Sequence, residues 1–283
     1  MESLDSELNS EEREILKFLL SEYKKTGKFL SIEETKKALG IQYDEKIEEK
    51  IIKQFARRGF PHVRLSPNQE VLFNYIIEQY SKYDSIHTFK EIERNLRFSD
   101  QELDDALSKL ERIGIITKEK NRDEKIIPRM PKIGYEHITT LEDGRILSPI
   151  EASCAIDALG LPFTYNQDAT INSKDPISNQ EIKIEIKDER IASQQPKNLV
   201  VYLGSQCSTT LFFTSEENLK EWEKRHPNQN GTSVNMEKAL ELGRKLFENR
   251  LEIDYKPSCE ISLDEKRQNL TWENIPRDDS KSN

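Results

Sequence analysis

Cysteine is scarce in this 283-residue chain, which has only Cys154, Cys207 and Cys259. The number is odd, the spacings are long, and the leading MESLDSELNSEEREIL has neither the basic nor the apolar region of an export signal. A disulfide framework is therefore excluded, and without close CxxC pairs so is a structural zinc site. Any cysteine chemistry has to be assembled in space from distant segments. Long apolar runs are also missing. None approaches the roughly 20 residues that span a bilayer, so we expect a cytoplasmic protein with no membrane partner. Basic excess is missing too: 43 Lys and Arg face 52 Asp and Glu, for a formal charge of -9. That balance weighs against non-specific nucleic-acid binding, which depends on cations displacing the counterions of phosphate. There is no Gly-rich phosphate loop, no HExxH motif and no Ser-centred nucleophile elbow.

What is present is charge and helical period. A chain of this length holds two or three compact units, and 34% charged against 35% hydrophobic residues suits small, well-solvated ones. In EEREILKFLLSEYKK, Ile15, Leu16, Leu19 and Leu20 recur at helical spacing. SIEETKKALG opens on a capping-box pattern, Ser31 with Glu34, and stops at Gly40. DEKIEEKIIKQFARRGF gives a third helix ending at Gly59, followed by a short extended segment. The order recurs in SPNQEVLFNYIIEQYSKY, TFKEIERNLRF and SDQELDDALSKLERIG, the last opened by Ser99 and Glu102 and closed at Gly114. IITKEKNRDEKIIP then alternates like a hairpin. Three helices and a hairpin are the parts of a winged helix. We therefore expect tandem winged-helix-like modules over residues 1–66 and 67–131.

Such modules often bind DNA through the third helix. In the second module that helix carries Asp100, Glu102, Asp104, Asp105 and Glu111 against Lys109 and Arg112 alone. Phosphates repel an acidic helix. In the first module the helix is mixed, with basic residues at its C-terminal end. Structural or partner-docking roles are expected, and no nucleic acid.

The composition changes near residue 131. MPKIGYEHITTLEDGRI reads as a connecting strand and turn, with DG at 143–144 as the turn signal; SPIEASCAIDALGLPFTY reads as an apolar helix, and four strand-length runs follow: FTYNQDATINS, NQEIKIEIKDERI, NLVVYLGS and TTLFFTS. EENLKEWEKRHP and VNMEKALELGRKLFENRL are helices. The expectation is an α+β chain: a helical tandem winged-helix-like half, then a mixed α/β domain with a small β-sheet over 132–256. A loose charged tail is expected over 257–283.

In the apolar helix, Cys154 and Asp157 stand three residues apart and so share a face. A lone cysteine is usually a small buried residue, and Cys207, at a strand end, is open to the same interpretation. The other interpretation is chemical. Partial positive charge in the first turns of a helix favours a thiolate at Cys154. A carboxylate beside a thiolate in apolar surroundings has its pKa raised, so it can hold and deliver a proton. A Cys154–Cys207 pair would suit a soft ion taken by two sulfurs in linear geometry.

SCAIDALGLP resembles the first active-site motif of the organomercurial (alkylmercury) lyases, a WCALD-type run followed by an apolar segment. SQCSTTLFFTSEENLKEW resembles that family's second motif: Cys207 five residues before Phe212 and Phe213, then a helix with Trp222. EDGRILSPIEA is similar to the family's approach to its first cysteine. The resemblance covers about residues 133 to 250; before it, the family has one smaller winged-helix-like domain. Three departures stand out: Ser153 in place of the usual aromatic, Ser208 where some members have a second Cys, and no cysteine in NSKDPISNQEI where many carry a structural one.

The resemblance implies protonolysis of carbon–mercury bonds, with Cys154, Asp157 and Cys207 as the catalytic trio. Cys154 and Cys207 would hold the metal and Asp157 would carry the proton. No resident cofactor is implied. Hg(II) is a bound product that external thiols remove, the substrate is a small organomercurial, and a mercury-accepting thiol protein is a conceivable partner. Cys259 matches nothing. Two other readings stay open: a winged-helix regulator sensing a thiophilic metal or small ligand through its cysteine domain, and a family fold kept for another thiol-dependent task.

Overall fold

The computed structural model describes residues 4–60, 63–83, 87–118, 125–128, 136–147 and 151–255. The expected tail of 257–283, with Cys259, lies outside them. An α-helical N-terminal region is followed by a mixed α/β region with small sheets.

The first unit opens with a 3₁₀ turn (Leu4–Glu7), followed by α1 (Ser10–Thr26), α2 (Ile32–Leu39) and α3 (Glu45–Arg57). Each helix starts where a polar side chain meets its orphan N–H groups. Asn9 and Ser31 do so as full capping boxes with Glu12 and Glu34, and Asp44 accepts from the Ile47 N–H. No strand forms among the described residues before β1 (His87–Thr88), so the described part of the extended segment expected after α3 belongs to no sheet. The second unit runs α4 (Pro67–Tyr83), β1, α5 (Phe89–Leu96), α6 (Asp100–Arg112), β2 (Ile116–Lys118) and β3 (Lys125–Pro128). β3 lies between β1 and β2, antiparallel to both. The Ser99–Glu102 capping box forms at the start of α6. The only two cations that α6 carries turn to the first unit: Lys109 Nζ and Arg112 Nη2 each lie 3.1 Å from Glu49 Oε1 of α3.

The second half has two sheets rather than one. β4 (Ile138–Leu141), β5 (Ile146–Leu147), β6 (Ala169–Lys174), β7 (Glu181–Lys187) and β8 (Arg190–Gln195) form an antiparallel sheet in the order β5-β4-β6-β7-β8. Its alternation is plain in β7, where Ile182, Ile184 and Ile186 are buried between charged neighbours. β9 (Val200–Gly204) is flanked by β10 (Leu211–Phe213) and β11 (Gly231–Asn235), both antiparallel to it. This smaller sheet is covered on both faces. Val201, Leu203 and Phe212 join the main core, while Tyr202, Leu211 and Phe213 pack with Leu219 and Trp222 of α8 (Glu216–Arg225).

Two further helices, α7 (Ala155–Tyr165) and α9 (Met236–Phe247), cross at close range. Gly160 and Gly243 face one another there: a Cβ on Gly243 would stand 3.0 Å from the Gly160 nitrogen, and one on Gly160 would enter the Phe247 ring. Main-core residues of both halves form one continuous cluster. Tyr23 of α1 touches Phe55, Phe60 and, at 6.4 Å between centroids, Tyr165 of α7. A buried ion pair ties the ends of the described chain. Arg58 Nη2 lies 2.8 and 2.7 Å from the two oxygens of Asp5, both side chains are fully buried, and Asp5 also accepts the Asp254 N–H at 2.7 Å.

Candidate active site

Cys154 occupies the N-cap of α7 in extended backbone, and its Sγ accepts the Asp157 N–H at 3.4 Å. A thiol thus fills the place where Ser or Asp usually satisfies an orphan N–H. The next N–H, that of Ala155, donates to the Thr210 carbonyl at 3.0 Å. That bond pins the start of the helix to the β9–β10 connection, which holds the second cysteine. There Cys207–Thr209 forms a 3₁₀ turn. It is closed by Thr210 N–H on the Cys207 carbonyl (3.0 Å) and held to β9 by Gly204 N–H on Thr210 Oγ1 (3.2 Å). Gly204 is needed because a Cβ there would overlap the Thr209 side chain.

As a result, one sulfur from Cys154, one from Cys207 and a carboxylate oxygen from Asp157 lie within 4.8 Å of one another. The structure brings all three sequence-derived candidates together. Among the described residues no other group of three or more His, Cys, Asp or Glu side chains is placed to share an ion. Cys154 is 2% exposed, while Asp157 and Cys207 keep some solvent contact.

Burial sets the electrostatics. It pushes the Cys154 thiol well up, reinforced by the hydrogen bond with Cys207 and the negative charge of Asp157; only the Asp157 N–H acts in the opposite direction. The partial positive charge of the helix start, which favours a thiolate, is outweighed at Cys154 by burial. One N–H at a helix start does not offset desolvation plus two acidic neighbours. Burial also raises Asp157, against the charge of Arg250 and hydrogen bonds from Ser153 and Cys154. At rest the Cys154 thiol is held toward its protonated form, beside a carboxylate whose own proton affinity is raised.

Two neighbours were not anticipated. Ser153 Oγ donates to Asp157 Oδ2 at 2.5 Å, and its place four residues before Asp157 was the signal available in the sequence. Arg250 is 7% exposed, with its guanidinium over the rings of Phe247 (4.3 Å) and Phe60 (5.6 Å). Phe60 belongs to the first unit, and Gly59 (φ 85°) leaves no room for a Cβ beside that guanidinium. No local pattern could have disclosed this contact. Further from the sulfurs, Tyr165 donates to the buried Glu151 at 3.2 Å, and His137 shares a 2.9 Å hydrogen bond with Ser173 and meets the edge of Phe212.

Residues 137–248 match the model of the alkylmercury lyase (MerB) family, less than half of the chain. Alkylmercury lyases of Bacillus cereus and Clostridium butyricum are each 27% identical to it over 103 residues, 33% of this chain and 46% of theirs. The chain thus spans about half the length of the curated relatives it matches. A solved structure described as the mercury-bound form of MerB2 aligns with 71% of this chain and 98% of its own, at 18% identity and a TM-score of 0.38. Over part of its length the chain is homologous to the alkylmercury lyases. No helix among the described residues is long and apolar enough to cross a membrane.

Proposed function

We propose that this protein is an organomercurial lyase-like enzyme that cleaves carbon–mercury bonds by protonolysis. The observation that carries the proposal is the cluster of two sulfurs and one carboxylate within 4.8 Å. Two soft ligands suit a thiophilic ion, and a pure metal trap needs no proton carrier between them.

The substrate is R–Hg–X, with X a thiolate or halide. One cysteine thiol gives up its proton to X, forms a sulfur–mercury bond and releases HX. Asp157 takes the proton of the second thiol, whose sulfur then also bonds mercury. The carbon–mercury bond breaks with its electron pair on carbon, and Asp157 delivers its proton there, giving R–H. Hg(II) stays on Cys154 and Cys207 until external thiols, free or on a carrier protein, exchange it away. The high resting pKa of Cys154 fits this order, because a buried thiol keeps its proton until a soft cation arrives. The anionic sulfurs are then neutralised by the metal.

We also propose the division at residues 1–66, 67–131 and 132–256, with residues 67–131 as a winged helix. The order helix, strand, helix, helix, strand, strand and the β1-β3-β2 sheet support that assignment. A scaffold role fits better than DNA binding, since the basic residues of α6 are occupied by Glu49.

The test is incubation with methylmercury or phenylmercury and excess thiol, with detection of methane or benzene. Hydrocarbon release that disappears in Cys154→Ser and Cys207→Ser supports the lyase. Hg(II) capture without hydrocarbon would replace it with a sensor or metal trap.

A further inference from the structure

Ser153 stands where the lyase motif has an aromatic side chain, and it touches the group that would carry the proton. The residue is 4% exposed, and its hydroxyl lies 2.5 Å from Asp157 Oδ2. Among the described residues the Ser153 hydroxyl has no other hydrogen-bond partner. The terminal torsion of a carboxylate is broad and soft. Asp157 sits in the first turn of α7, where its oxygens could turn toward solvent, toward Arg250 or toward the sulfurs.

We propose that Ser153 is a positioning residue for the carbon–mercury cleavage step: its hydroxyl pins one Asp157 oxygen and leaves the other facing the two sulfurs. The inference rests on the lyase function proposed above and says how this chain orients its acid. Ser153 bonds neither metal nor carbon and transfers no proton. It acts only through Asp157. The titratable and charged groups around Asp157 are Cys154 at the start of its own helix, Cys207 on the 3₁₀ turn and Arg250 after α9, and none is replaced by changing Ser153.

Ser153→Ala and Ser153→Thr separate this role from simple packing. Hg(II) alone, titrated by its sulfur-to-metal absorption, reports capture; single-turnover release of benzene from phenylmercury reports cleavage. A hydrogen bond to a charged group contributes enough to alter a rate about tenfold or more. Ser153→Ala should therefore capture Hg(II) like the parent and cleave at least about tenfold more slowly at saturating substrate, with the half-saturation concentration unchanged. Ser153→Thr, which keeps a hydroxyl at the same carbon, should recover most of the rate. Cleavage by Ser153→Ala at the parent rate would overturn the inference and leave the lyase standing. Capture and cleavage falling together, with a lowered melting midpoint and no recovery in Ser153→Thr, would also overturn it, because that pattern belongs to packing. A parent protein that captures Hg(II) and releases no hydrocarbon refutes the lyase itself, and the positioning role with it.

Discussion

Replacing Asp157 by Asn should separate capture from chemistry and move activity and stability in opposite directions. Among the described residues Asp157 supplies the only carboxylate that shares the cluster with both sulfurs, so no second acid can take over the proton. The full contribution of a positioned acid–base group is then lost. That is about 10²- to 10⁴-fold in rate, or roughly 3–5 kcal/mol of barrier. Both soft ligands remain, so the Hg(II) titration should not change. Stability should not fall. The folded-state pKa of Asp157 is raised, chiefly by burial, so the folded protein binds the proton more tightly than the unfolded chain. Stability is then highest below the unfolded value of about 3.9 and declines as pH rises toward the folded pKa. An amide does not ionise and so lacks that loss, while its oxygen can still accept from Ser153. Single-turnover benzene release and thermal melts, both across a pH series, measure the two effects; the series also covers any change in the Cys154 pKa once its anionic neighbour is gone. Release of hydrocarbon by Asp157→Asn at the parent rate at every pH would refute the reasoning.

Asp5→Ala leaves the fully buried Arg58 guanidinium without its carboxylate, which should cost about 3–5 kcal/mol and lower the melting midpoint by roughly 10 °C; an unchanged midpoint in differential scanning calorimetry would contradict the pairing. Gly59→Ala meets both a left-handed backbone (φ 85°) and the Arg250 guanidinium, so a loss of about 1–3 kcal/mol is expected in denaturant melts, and an unchanged midpoint would contradict the strain. His137 is buried and its pKa is pushed down to about 4 by burial. The unfolded chain therefore gains the proton first on acidification, and about 3 kcal/mol of stability should be lost between pH 6.5 and 4. His137→Asn should flatten that slope in urea melts taken across the interval; an unaltered slope would assign the acid sensitivity to other groups.

The sequence by itself determined what depends on neighbours a few residues apart. Ser31 with Glu34 and Ser99 with Glu102 start helices because the bonds of a capping box are local. The alternation of Ile182, Ile184 and Ile186 defines one face of β7 without reference to the rest of the molecule. The three-residue spacing of Cys154 and Asp157 put a thiol and an acid on one helix face for the same reason. β8 and β11 leave little trace in the sequence because they lie at sheet edges and are largely exposed, so they carry little apolar alternation. Tertiary structure alone decided the rest. The Thr210 carbonyl on the Ala155 N–H brings Cys207 to Cys154, and Phe60 of the first unit seats Arg250 near Asp157. Tertiary structure also raises the Cys154 thiol pKa against the pull of the helix start. The N–H at a helix start can be inferred from sequence, but the desolvation that outweighs it is a sum over every segment packed around the sulfur, and exists only once the chain has folded.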